Sequence, residues 1–414
     1  MVNQKRIQNF ISKFSFPRLF GTQDEKEAAS KVKEELKSLG LPVITQKFEF
    51  SKFYSIYYGR IIFTLIFILL LILFLNINHF LFKILLNTTL ILIVVVIIAV
   101  QLNLRLFYNY NSQNIYAALF PNDQRLSEGE GNDFKNICNI LKENENKNIM
   151  FLAHMDSKGQ RFNIVNRVRF FMLLGYSLSF TVIFIIFKNL LFPRYRVWLY
   201  LFGTIPLALN LVSLVLFFLN TTNNSSKGAL DNASGVTCLL ELVTYYQNNR
   251  QQLESLNNLN LWFIFTGAEE CGTNGAKNLY QVIKGIKKKQ FVFINIDSVG
   301  KHIDLIKFGM TSHYKCGLKT NFLKNAKKKG IEVPTRQVPV GVHTDGYLFF
   351  KKGYKGIEIG DWNCYEYLHS PKDTIDKIDA ETLKSVCEII ITTLNDFNED
   401  LNQLKINNKI FFKS

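Results

Sequence analysis

Five short segments put histidines and carboxylates where such side chains do chemistry. Phe151-Leu-Ala-His154-Met-Asp156 closes an apolar run with a histidine and, two residues on, a carboxylate. Trp262-Phe-Ile-Phe-Thr-Gly-Ala-Glu269-Glu270 ends in paired acids, and Phe291-Val-Phe-Ile-Asn-Ile-Asp297 ends in an aspartate. Lys227-Gly-Ala-Leu-Asp231-Asn232-Ala-Ser-Gly235 and Tyr367-Leu-His369-Ser-Pro-Lys-Asp373-Thr374 add loop candidates. Imidazole nitrogen and carboxylate oxygen are donors that zinc takes in catalytic sites. Each segment alone has a structural alternative. His154 could be a core histidine, and Asp231-Asn232 could cap the next helix. Glu269 and Glu270 could complement a helix N-terminus. Asp297 could be a plain loop acid, and His369-Ser-Pro a turn. Five together, spaced through strand ends of one sheet, point instead to a metal centre.

The elements that must position them alternate in type. Helices are predicted at 24–39, with Thr22 as N-cap and Gly40 as stop, and at 233–246, about 270–286, 318–329 and 380–397. Strands are predicted at 43–50, 115–120, 149–153, 261–265, 291–296 and 354–359. Segments 128–148 and 247–258, rich in Asn, read as surface connections. The order predicts an α/β fold: a mixed, largely parallel sheet sandwiched by helices. In such folds functional side chains collect beyond the carboxyl ends of the strands, where three of the five segments end.

Four uncharged apolar runs interrupt this pattern: 61–75, 84–100, 170–187 and 197–219, with 15, 17, 18 and 23 residues. A bilayer core takes about 20 helical residues, and neutral flanks lengthen the shorter runs. A core helix would show a polar face; these do not. They predict two transmembrane hairpins, the second between His154 and Asp231. Nine Lys and Arg flank the spans on the side shared by the rest of the chain (47, 52, 60, 105, 158, 161, 167, 169, 227), against four in the turns (83, 188, 194, 196). The positive-inside rule then puts the large domain in the cytoplasm. Segment 1–46 is polar, without the apolar core of a secretory signal. Six cysteines show no CxxC spacing and no disulfide framework. The net charge of +16 is matched by no nucleic-acid-binding motif; attraction to an anionic membrane face is the simpler account, with the lipid bilayer as partner.

Seven motifs together resemble the di-zinc exopeptidase family, which includes bacterial leucyl and other aminopeptidases, glutamate carboxypeptidases and, as a one-zinc branch, glutaminyl cyclases. They are Phe16-Pro-Arg-Leu-Phe-Gly-Thr22, Ala153-His-Met-Asp-Ser157, Gly228-Ala-Leu-Asp-Asn-Ala-Ser-Gly235, Gly267-Ala-Glu-Glu270, Asn295-Ile-Asp297, Thr344-Asp345 and Leu368-His-Ser-Pro-Lys-Asp-Thr374. They occur in family order. The resemblance implies the zinc-exopeptidase fold and two zinc ions (Zn2+), or one in the cyclase branch. His154 and Asp297 would hold one ion, Glu270 and His369 the other, and Asp231 would bridge them. The Asp231–Asn232 peptide bond would be cis. Glu269 would be the general base, Asp156 would orient His154, and Asp345 would support the site from behind. Two zincs about 3.5–4 Å apart polarise a carbonyl and acidify water. Two positions depart from the family pattern: Leu230 stands where many relatives have an acid, and Gly346 where many have a histidine, with His343 just upstream.

The sequence thus predicts a peptidase domain made of 1–56, 105–166 (first ligand) and 221–414 (remaining ligands), interrupted by transmembrane hairpins at 57–104 and 167–220. The expected function is a membrane-bound zinc aminopeptidase acting on peptide substrates at the bilayer surface. Carboxypeptidase and dipeptidase activities stay open. A one-zinc glutaminyl cyclase-like acyltransferase and a non-catalytic receptor or scaffold are the alternatives. If the strand at 115–120 runs against that at 149–153, both hairpins leave from the catalytic edge, form one four-helix bundle and turn the cleft toward the bilayer. Simple tethering is the competing view.

Overall fold

The computed structural model describes residues 1–75, 79–101, 109–121, 129–130, 146–309, 316–338 and 342–411. Arg105, His313, Cys138 and most of the 128–148 connection lie outside them. The chain divides into two compact units: 1–49, 111–159 and 223–414 form one, and 50–110 with 160–222 form the other.

The strands form in order: β1 (Ile44–Ser51), β2 (Asn109–Leu119), β3 (Gly129–Glu130), β4 (Lys147–His154), β5 (Gly159–Gln160), β6 (Thr222–Asn223), β7 (Leu259–Thr266), β8 (Phe291–Ile296), β9 (Asp304–Phe308), β10 (Thr335–Val338) and β11 (Lys355–Gly360). Among the described residues, nine join one sheet in the order β10-β9-β11-β8-β4-β7-β2-β1-β3, and β5 pairs with β6 separately. The central strands β11, β8, β4 and β7 are mutually parallel. β2 runs antiparallel to β7, pairing Ile115 with Phe265. It therefore runs against β4, the direction that the sequence had left as a condition, with β7 between them. The start of β2 and the ends of β4 and β7 thus share one sheet edge.

Period-two alternation divides the core. Ile149, Phe151, Ala153, Phe263 and Ile294 face one layer of helices, while Met150, Leu152, Trp262, Ile264 and Phe293 face the other. Helix Ser234–Asn248 crosses the first face with every residue from Ser234 to Thr244 buried. Helix Gln4–Phe14, not foreseen from the sequence, buries Ile7, Phe10, Ile11 and Phe14 at helical spacing. The helix expected from about 270 starts only at Asn274. Positive φ at Ala268, Gly272 and Thr273 winds the preceding residues into a turn instead, closed by the Gly272 and Thr273 amides on the Glu269 carbonyl. Thr22 opens helix Gln23–Ser38, but its hydroxyl donates to the Leu19 carbonyl rather than capping. The 247–258 connection contains a short helix, Arg250–Ser255.

The second unit holds, among the described residues, four helical spans long and apolar enough to cross a membrane: Phe53–Leu75, Phe80–Ile98, Ile164–Leu191 and Arg196–Leu219. The first packs on both helices of the second hairpin, through Phe63 on Phe171 and Phe217 and through Phe74 on Tyr200. Within the second hairpin, Asn210 accepts from Ser177 and donates to Thr181, both at 2.9 Å. Buried amide–hydroxyl pairs of this kind join helices where lipid gives no hydrophobic drive.

Candidate metal centre

The parallel strands deliver the five sequence candidates to one place. His154 is the last residue of β4, and Asp297 follows β8 directly. Glu269 and Glu270 sit in the turn after β7. His369 lies in the loop after β11, with φ at 57°. Asp231 sits in a kinked segment before helix Ser234–Asn248, and the Asp231–Asn232 bond is cis. Asn232 secures that segment: its Nδ2 donates to the Ile296 carbonyl, and its Oδ1 accepts from the Gly235 and Ser298 amides. The Asp373 carboxylate accepts from the Leu230 and Asp231 amides.

Asp231 faces both imidazoles. Its Oδ1 lies 3.0 Å from His154 Nε2 and its Oδ2 lies 3.1 Å from His369 Nε2. Asp297 Oδ1 is 3.6 Å from His154 Nε2, and Glu270 Oε1 is 3.0 Å from His369 Nε2. Two donor triads result, His154–Asp231–Asp297 and Asp231–Glu270–His369, each with its ligand atoms within 4.8 Å of one another. His154 Nδ1 is 3.1 Å from the Asp156 carbonyl and 3.6 Å from its carboxylate. The Asp156 carboxylate also accepts the Glu269 and Glu270 amides, both at 3.0 Å. Asp345 accepts a short hydrogen bond from Thr266 at the end of β7. At Gly346 an added Cβ would run into the Glu358 carboxylate. Glu358 occupies the space that a side chain at 346 would need.

Charge is crowded here. Asp156, Asp231, Glu269, Glu270, Asp345, Glu358 and Asp373 are each at most 7% exposed. Burial pushes Glu269 well above the usual carboxylate range; His154 opposes the rise, while Glu270, Asp345 and Asp297 add to it. Burial also raises Asp345 and Asp373 to about 7. Burial disfavours charge on Asp231 too, but hydrogen bonds from His154 and His369 pull its pKa well down. Glu270 is lowered, as His369 and the Lys158 ammonium outweigh burial. Burial likewise works against a charged His154, and Asp156, Asp231 and Asp297 together raise it.

Zinc fits this donor set. So many buried acids are costly without cationic charge among them. Glu270 Oε1 is also a buried oxygen with no donor aligned for a hydrogen bond. Two imidazoles and three carboxylates, one of them shared, are nitrogen and oxygen donors of the type zinc takes.

Several residues at the site had no task there in the sequence reading. Lys158 Nζ pairs with Glu270 Oε2 at 2.8 Å. Glu25 is buried beneath the Glu269 turn, accepting from the Gly21 and Ala268 amides and from Ser112. Its place in the first turn of a helix, on the face with Ala28, Ala29, Val32 and Leu36, was the available signal: an acid on an apolar stripe. Asp373 and Arg18 lay inside quoted motifs without an assigned task.

Residues 210–394 match the model of peptidase family M28. A probable aminopeptidase of Saccharomyces cerevisiae is 26% identical over 182 residues, 40% of this chain and 47% of the yeast protein. The chain thus spans about half the length of that curated relative. Among solved structures, an aminopeptidase from Aneurinibacillus sp. strain AM-1 superposes with a TM-score of 0.54 at 14% identity, covering 95% of this chain and 93% of that one. A glutaminyl cyclase from Bacteroides thetaiotaomicron gives 0.53 at 16%, covering 95% and 98%. A zinc aminopeptidase from Bacillus subtilis gives 0.54 at 13%, covering 96% and 95%. The chain therefore carries the peptidase family M28 pattern across residues 210–394, on the mixed, largely parallel fold of the zinc exopeptidases.

Proposed function

We propose that this chain is a membrane-embedded zinc exopeptidase, an aminopeptidase that hydrolyses peptides at the bilayer surface. The observation that supports this most is the Asp231 carboxylate, with one oxygen toward each imidazole. His154 and Asp297 would hold one zinc, Glu270 and His369 the second, and Asp231 would bridge both. Zinc held by these residues supplies Lewis acidity toward a scissile carbonyl and toward water. Glu269 is the base that takes the proton from water and delivers it to the leaving amine. Its raised affinity for protons suits the second of those tasks. Asp156 holds the Glu269 and Glu270 amides on one carboxylate, so base and ligand keep a fixed separation. Asp345 supports the end of β7 through Thr266.

The four apolar helices suit membrane insertion, and the balance of flanking Lys and Arg favours a cytoplasmic catalytic unit. The start of β2 and the ends of β4 and β7 lie at the sheet edge that bears His154. Both insertions therefore connect to the catalytic edge, which favours substrates presented at the membrane.

The test uses the purified full chain in detergent: metal content, then cleavage of a peptide panel with and without chelator. Two zincs per chain and N-terminal release, abolished by chelator, are expected. Glu269→Ala should lose about 10²–10⁴-fold in kcat. Equal cleavage by wild type and Glu269→Ala would refute the mechanism. One zinc per chain with pyroglutamate formation would replace it with the cyclase reading.

A further inference from the structure

The two loops that carry His154 and Asp231 are separated in sequence by residues 160–222 of the second unit. The stems of that excursion pair as β5 with β6, and Ser157 Oγ donates to the Ser226 carbonyl at 3.4 Å, but these contacts lie farther along the chain from the two ligands than Met155 and Gly228 do. Arg18 joins the two loops closer to their ligands. Arg18 is 1% exposed, and its guanidinium faces backbone carbonyls on three sides. Nε donates to the Met155 carbonyl at 2.7 Å, one residue beyond His154. Nη2 donates to the Gly228 carbonyl and Nη1 to that of Lys227, both at 2.9 Å, three and four residues before Asp231. Nη1 also meets the carbonyls of Phe14 and Phe16. The main chain of Arg18 continues the join: its amide donates to Ser157 Oγ and its carbonyl accepts the Ser157 amide, both at 3.0 Å.

The opposite wall is shaped to receive it. Gly228 has φ of 58°, and a Cβ there would lie 2.8 Å from Arg18 Nη2 and 2.7 Å from the Asp231 carbonyl oxygen. Gly228 in turn accepts the Ala233 amide at 2.9 Å, which closes the segment carrying Asp231. Only a planar fork with five donors in fixed directions satisfies carbonyls from three segments at once. The same cation lies among Asp373, Asp156, Asp231 and Glu270, all of which favour its charge against the cost of burial.

We propose that Arg18 is the positioning residue of the metal centre: it fastens the His154 loop to the Asp231 loop across the stems of the second insertion, fixing the spacing of their ligands before any ion binds. The proposal builds on the metal reading, yet its first readout is independent of zinc. In the full chain, stripped of metal, Arg18→Lys keeps the charge and removes the fork. Hydrogen exchange at the Ser157 and Ala233 amides should speed by about tenfold or more, while amides inside β4 keep their rates. Zinc affinity, read by competition with a chromophoric chelator, should fall about 10–100-fold, the usual cost of losing support behind a ligand. If Arg18→Lys does not fold, Ser157→Ala serves instead, since it removes one acceptor of the same clamp; a roughly threefold acceleration at the same two amides is expected. A folded variant with both amides and zinc affinity within about twofold of wild type overturns the proposal. Wild type that binds no zinc overturns the metal reading alone, and the exchange rates still decide the role of Arg18.

Discussion

The two halves of the candidate centre share Asp231 and are otherwise built in opposite ways. The His154 half stands on regular structure: its imidazole ends β4, Asp297 follows β8, and the two strands pair in parallel register. Its histidine side chain is 3% exposed. The His369 half stands on turns. Glu270 follows Ala268 at φ 49°, and His369 itself has φ 57°, a region that costs an ordinary residue roughly 1–2 kcal/mol. Its histidine side chain is 14% exposed, and an ammonium, Lys158, already sits on Glu270. The sheet pre-forms one half. The other depends on turns, a lysine and buried acids behind it. The first half should therefore keep its geometry and metal more stubbornly than the second.

Asp231→Asn removes what the halves have in common and should have the largest effect. An amide turns an N–H toward one imidazole and leaves the other triad only a neutral oxygen, so one triad loses its shared ligand and the other loses its charge. Metal content should fall below one zinc per chain and activity by about 10³-fold or more, given the several kcal/mol that metal catalysis supplies. A variant that keeps one tightly bound zinc would show that the halves do not depend equally on Asp231, and its surviving ligands would identify the stronger half.

Asp156→Asn comes next, because Asp156 touches both halves by different atoms. Its carbonyl meets His154, while its carboxylate holds the Glu269 and Glu270 amides. An asparagine leaves the carbonyl in place and spoils one amide contact. Zinc affinity should drop about 10–100-fold, with the loss at the His369 half. Equal loss at both halves, read by stepwise zinc titration, would mean that the carboxylate also sets the His154 imidazole.

What the sequence disclosed follows the same division. The ends of β4 and β8 were legible because apolar strands stop at His154 and just before Asp297, and period-two patterning survives in a single chain. The turn after β7 was misread as the start of a helix, since nothing in Gly-Ala-Glu-Glu-Cys-Gly-Thr announces three positive φ values except Gly272. Lys158 was read as one more membrane-flanking cation, and Glu25 was given no role within the helix predicted at 24–39. Lys158 meets Glu270 and Glu25 meets Ala268, 112 and 243 positions away; contacts of that range name no partner locally, and only the apolar stripe around Glu25 hinted at its burial. The four apolar runs were the easiest feature to see, because composition alone marks a helix long and apolar enough to cross a membrane.

Lys158→Gln tests the compensation directly. It leaves Glu270 buried with His369 as its imidazole partner and without its ammonium. Breaking a largely buried pair costs up to about 3–5 kcal/mol, so the chelator-treated protein should melt several degrees lower. Zinc-loaded protein should lose less, because an ion at Glu270 replaces the missing charge. Equal drops in Tm with and without zinc would mean that Lys158 does not compensate for an absent ion.

Glu25→Gln carries the smallest effect and reads the acids that prop the weaker half. Burial, with Asp156 nearby, lifts the folded Glu25 from 4.5 to about 8. The unfolded residue gives up its proton near the lower value and the folded residue near the higher. Between the two the folded protein binds the extra proton, so its stability is highest at the acid end and declines as pH rises through about 8. The slope from one such group is at most about 1.4 kcal/mol per pH unit. Metal-free wild type should lose Tm steadily between pH 5 and 8, and Glu25→Gln should lose it less steeply even if its Tm is lower throughout. Parallel curves would mean that Glu25 is ionised in the folded protein, with three donors from Gly21, Ser112 and Ala268 outweighing its burial. The turn carrying Glu270 would then rest on a charged support, and the contrast between a sheet-built half and an acid-propped half would fail at that point.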